Sequence, residues 1–156
     1  MAMTLASTRV ALVTLMLLLT ASVSAAQETT YQARLAVVPL DIAMQSTIAG
    51  AGDVRGTLEG RTLVLNGRFS GLRSSATVAR LHVSAVRGMR GAAVADLTVS
   101  PAIEGTVTGR VELTPPQLTA LSEGRLYVQL HSEKAPDGNL WGWLLLVPAR
   151  AGGGER

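Results

Sequence analysis

The chain has 156 residues, 14 Lys and Arg against 11 Asp and Glu, a net charge of +3 and only 3% aromatic residues. It has no cysteine, which excludes disulfides, thiolate catalysis, thiolate metal sites and a cysteine lipid anchor. Arginines are scattered from Arg34 to Arg150 without a basic run and with few aromatics to interleave, so nucleic-acid binding has little support.

Residues 1–26 read as a signal peptide. Arg9 supplies the positive region, Val10 to Leu19 the apolar stretch, and Ser24-Ala25-Ala26 a small-residue cleavage site. An apolar stretch of about ten residues is half of what a bilayer crossing needs, so no membrane span is expected after cleavage. The predicted location is periplasmic or secreted. About 130 residues remain, enough for one domain with its own core, expected over residues 27–149. The tail, 150–156, has nothing to bury and is expected to be disordered.

Tyr31 to Val37 alternates in the period of a half-buried strand, and Pro39 ends it. Ala43 to Gly52 reads as a long connection or irregular edge. Asp53 to Leu58 and Thr62 to Phe69 flank Glu59-Gly60 and predict a hairpin. Further strands are expected at Thr77 to Val83, Ala92 to Val99 and Thr106 to Leu113, separated by glycine, serine and proline breakers. One helix follows, with Thr114 as N-cap, Pro115 in the first turn, Gln117 completing a capping box and Gly124 as terminator. At about two turns it needs Leu118 and Leu121 to pack on the sheet. The last hairpin spans Tyr127 to Leu145, with Ala135-Pro136-Asp137-Gly138 predicted as a type I turn. Short strands and glycine-rich turns imply an antiparallel sandwich or barrel.

Two blocks resemble the CHRD domains, the repeats first named from chordin. Tyr127-Val128-Gln129-Leu130-His131-Ser132, a loop with Gly138 and then Leu140-Trp141-Gly142-Trp143-Leu144 resembles the family's closing signature. Gly67-Arg68-Phe69-Ser70-Gly71-Leu72 followed by Ala76 to His82 resembles its phenylalanine-Ser-Gly-Leu and Ala-His-Ile-His block. The resemblance covers most of the chain after about Tyr31. It implies an immunoglobulin-like β-sandwich similar in layout to copper/zinc superoxide dismutases, with one short helix added by the sequence reading above.

Strand alternation puts Val78, Arg80 and His82 on one face, and Tyr127, Gln129 and His131 on one face of the later strand. If the two strands are neighbours, Arg80, His82, Gln129 and His131 form one polar cluster. Imidazole is a common copper or zinc ligand, so His82 and His131 are candidate metal ligands, with Asp96 or Glu133 as a possible carboxylate. The resemblance implies His-x-His in the earlier strand, but Arg80 stands at the first of these positions, and a permanent cation cannot ligate. Structural hydrogen bonding by both histidines is the alternative.

Trp141 and Trp143 share a face. They read either as core or, with Tyr127, as a partner-binding patch. No Gly-x-Ser-x-Gly elbow and no facing pair of acids stands out, so no catalytic residue and no enzyme activity is expected. The expected function is an exported binding module of unknown extracytoplasmic partner, with weak copper or zinc binding as the alternative.

Overall fold

Alternating apolar and polar residues build the strands, and in the first three the outward side chains are mostly exposed while alternate ones are buried. The computed structural model describes residues 28–148; the expected signal segment and C-terminal tail lie outside the described residues. The strands are β1 (Thr29–Val37), β2 (Ala51–Glu59), β3 (Thr62–Ser70), β4 (Ala76–Val83), β5 (Ala92–Val99), β6 (Gly105–Glu112), β7 (Leu126–Ser132), β8 (Ala135–Trp143) and β9 (Leu145–Leu146), with helix α1 (Pro115–Ser122) between β6 and β7.

The sheet closes on itself as an eight-strand antiparallel barrel in the order β1-β2-β3-β6-β5-β4-β7-β8, returning to β1. The sandwich expectation is therefore overturned. Two strands make the closure because each pairs in both halves. β1 pairs with β2 over Thr29 to Leu35, and its Ala36 and Val37 pair with Trp141 and Leu140 of β8. β5 pairs with β4 from Ala92 to Leu97, and its Thr98 and Val99 pair with β6. A sandwich would leave four strand edges unpaired, whereas closure satisfies those backbone groups. The two-residue strand β9 continues β8 along β1, with Tyr31 opposite Leu146 in the same register.

The barrel interior holds one apolar core that includes Ala33, Val54, Leu63, Leu65, Leu81, Val128, Leu130 and Leu140. Helix α1 follows its expected caps. The Gln117 side chain accepts a 2.8 Å bond from the Thr114 backbone N–H, Gly124 takes a positive φ of 68°, and Leu121 with Leu118 packs against the core. A second, smaller cluster of Val38, Ile48 and Ala135 lies outside the barrel, beneath a short 3-10 turn at Ala43–Ser46.

The predicted turn at Ala135 to Gly138 is not the hairpin's turn. Ser132 pairs with Ala135, so Glu133 and Lys134 make the reversal, and Pro136 to Asn139 form a bulge in β8 opposite His131. Side chains of β7 hold that bulge. His131 Nδ1 donates to the Pro136 carbonyl at 2.8 Å, and Gln129 Nε2 donates to the Asp137 carbonyl at 3.0 Å. Extra residues in a bulge leave carbonyls that the ladder cannot satisfy, and this strand supplies two donors for them.

Candidate functional site

The outer face of β4, β7 and β8 carries Arg80, His82, Tyr127, Gln129, His131, Trp141 and Trp143, while the candidate carboxylates Asp96 and Glu133 lie on β5 and in the β7–β8 reversal. β4 and β7 are neighbours, and their register sets Arg80 opposite Gln129, His82 opposite Tyr127 and Val78 opposite His131. On the other side of β7, Tyr127 faces Trp143 and Gln129 faces Trp141. Directly opposite residues share a face, so His82, Tyr127 and Trp143 form one rung, and Arg80, Gln129 and Trp141 the next.

The aromatic rung is tightly packed. Tyr127 stacks on His82 with ring centroids 4.9 Å apart, packs tilted against Trp143 at 4.5 Å, and meets Trp141 edge-on at 5.9 Å. Tyr127 is fully buried although it points away from the barrel core, while both indoles are half-buried. The choice between core and surface thus divides by residue: Tyr127 is a buried platform, and the indoles stay half-exposed above it. Trp141 also packs on the outer cluster of Val38, Ile48 and Ala135.

Two polar groups of this rung converge on one loop residue. The Gly91 N–H donates to the Tyr127 hydroxyl at 2.9 Å, and the Gly91 carbonyl accepts from His82 Nδ1 at 3.1 Å. A carbonyl only accepts, so the Nδ1 proton is assigned and neutral His82 keeps a bare Nε2. That Nε2 is buried without a partner, as is Nε2 of His131. Burial lowers the His82 pKa below its ordinary value of 6.5; the Gly91 bond opposes this, and nearby His131, Arg80 and Arg90 add to the lowering. Because the folded protein then binds this proton more weakly than the unfolded chain, stability is full above pH 6.5 and falls as pH drops through the interval down to the lowered pKa. Thermal unfolding between pH 7 and 5 is expected to show this slope, and His82→Gln to flatten it; an unchanged slope in the variant would refute the assignment.

The same register tests the proposed metal pair. The His82 and His131 rungs are four residues apart along β4, with the Arg80 rung between them, a span of roughly 13 Å at the usual strand rise. Zinc or copper bonds to imidazole are about 2 Å. Asp96, the candidate carboxylate, accepts a 2.7 Å bond from Arg80 Nε, and no group of three His, Asp or Glu suited to a metal occurs among the described residues. The polar cluster of Arg80, His82, Gln129 and His131 is contiguous, but the rung carrying the Arg80 cation lies between the two histidines and, among the described residues, no third His, Asp or Glu joins them.

The CHRD domain profile matches residues 19–144. The chain belongs to the CHRD family. No curated protein and no solved structure matches this CHRD domain. His131 anchors the β8 bulge, and His82 anchors the loop before β5. Sequence reading missed Gly91, whose two backbone groups tie the rung to that loop, because a loop glycine carries no side-chain signal.

Proposed function

We propose that this CHRD domain is an exported module that works by binding and not by catalysis, with Trp141 and Trp143 as its partner surface. One observation carries the reading: two half-exposed indoles are held against a fully buried tyrosine. A preformed aromatic surface loses little side-chain entropy when it is covered, which is why tryptophan recurs at binding hot spots. The partner is an extracytoplasmic protein or ligand that presents an apolar or aromatic group to the indoles. The hydroxyl of Ser84, the serine nearest His82 in sequence, bonds the Val86 carbonyl at 2.7 Å and so offers no activated nucleophile. Copper or zinc binding keeps only the two bare Nε2 atoms in its favour and lacks a third ligand.

The indoles are the only two tryptophans in the chain, so tryptophan emission reports on this surface alone. Affinity capture from an extracytoplasmic fraction should recover a partner that changes this emission saturably. Trp143→Ala should keep the thermal midpoint within a few degrees while losing most capture. A folded Trp141→Ala, Trp143→Ala variant that captures the same partner undiminished would overturn the reading, and global unfolding of both single variants would assign the indoles to the core.

A further inference from the structure

The other half of the barrel carries a surface that no local stretch of sequence announces. On the outside of β1, β2, β3 and β6, register brings Arg34, Asp53, Arg68 and Thr106 into one line across four strands. The adjacent line is Gln32, Arg55, Asn66 and Thr108, and Arg110 lies one line further on, opposite Val64. The four guanidiniums come from four different strands and are all exposed.

Within these three lines four arginines face one carboxylate, Asp53. Among the described residues none of the four has an ion-pair partner within 4.0 Å; the acids at the far end are Glu59, Glu112 and Glu28, which lines a hollow with Arg55, and Glu112 is taken by Arg61 at 3.4 Å. Glu104 borders the opposite end. The centre is a shallow depression that Asp53, Arg68 and Thr106 line.

We propose that this face binds an acidic polysaccharide, with Arg34, Arg55 and Arg68 on its carboxylates and Gln32, Asn66 and the threonines on its hydroxyls. Three features select that occupant. Unpaired guanidiniums bind carboxylates in a bidentate fork. Amides and hydroxyls alternate with them, as a ligand carrying both charge and hydroxyl groups requires. Across the four strands the lines contain no aromatic ring for stacking bases and only Val64 as an apolar side chain, with exposed Leu145 of β9 beside Gln32, which disfavours single-stranded nucleic acid and membrane insertion.

The test is binding of the purified full chain to polygalacturonate, with neutral dextran, phosphatidylglycerol vesicles and single-stranded DNA as comparisons. Polygalacturonate should bind, more weakly at high salt, and dextran should not. Replacing Arg34, Arg55 and Arg68 by Ser should weaken binding on the order of tenfold, the combined size of three exposed charge contacts. The Lys triple variant, which keeps the charge but not the bidentate fork, should bind between the parent and the Ser variant, and Trp143→Ala should bind as the parent does, which separates this face from the indole surface. No polygalacturonate binding, or undiminished binding by a folded Ser variant, would overturn the proposal. Equal, Arg34-, Arg55- and Arg68-dependent binding to the vesicles or the DNA would overturn the polysaccharide assignment.

Discussion

Tyr127→Ala is expected to destabilise the protein by about 4 kcal/mol, the range for removing a fully buried aromatic ring. Three rings lose their common platform, since Tyr127 touches His82, Trp141 and Trp143, and the cavity opens on the outside of the barrel where the indoles can only partly collapse into it. Tyr127→Phe separates packing from polarity. It keeps the stack but leaves the Gly91 N–H without the hydroxyl it donates to, a loss of about 1 to 2 kcal/mol for a half-buried amide. Thermal unfolding should order the variants as Tyr, Phe and Ala from most to least stable. At about 4 °C per kcal/mol for a domain of this size, the Ala variant should melt roughly 15 °C lower. Equal stability of the Phe variant and the parent would show that the Gly91 bond contributes nothing.

Gly67→Ala is expected to cost about 3 kcal/mol, the upper part of the overpacking range. Gly67 lies in the middle of β3, paired with Val54 on one side and Val107 on the other. A methyl group there would overlap the Asp53 carbonyl oxygen and come within 2.6 Å of Val54 Cγ2 and 2.9 Å of Val54 Cα. Backbone on a hydrogen-bonded neighbour cannot rotate away, so the two strands must separate. Gly60→Ala is the control. It sits at the β2–β3 turn with φ of 59° and nothing within 4 Å, so it carries only the left-handed backbone cost of about 1 to 2 kcal/mol. A Gly67→Ala midpoint no lower than that of Gly60→Ala would contradict the close strand approach seen here.

The two glycines also illustrate how far sequence reading reaches. Gly60 is legible because a turn is local: Glu59-Gly60 between two alternating segments predicts the hairpin that forms. Gly67 reads only as part of a strand, since what crowds it comes from Asp53 and Val54 on another strand. The last hairpin fails for the same reason. Ala135-Pro136-Asp137-Gly138 has strong turn chemistry, yet Gln129 and His131 of the partner strand hold its carbonyls in a bulge and the reversal falls at Glu133 and Lys134. Local propensity predicted a turn there, and tertiary hydrogen bonding accompanies its displacement by three residues.

The candidate site shows the same division. Alternation alone put His82 and Arg80 on one face of their strand and Tyr127, Gln129 and His131 on one face of theirs, and both faces prove to be outward. What alternation cannot supply is the offset between the two strands. That offset separates the imidazoles by a whole intervening rung and brings Tyr127, not His131, against His82.

By itself the sequence determined the all-β class, the order and approximate limits of the strands, the capped helix and the membership suggested by two motif blocks, because each is written in neighbouring residues through periodicity, caps and breakers. Only the tertiary structure decided barrel over sandwich, the burial of Tyr127 beneath two half-open indoles, and the gathering of Arg34, Arg55, Arg68 and Arg110 on one face. Those depend on which strand pairs with which and in what register. An inward–outward pattern reads the same in an open sheet and in a closed one, so the information resides in long-range backbone pairing and not in any single segment.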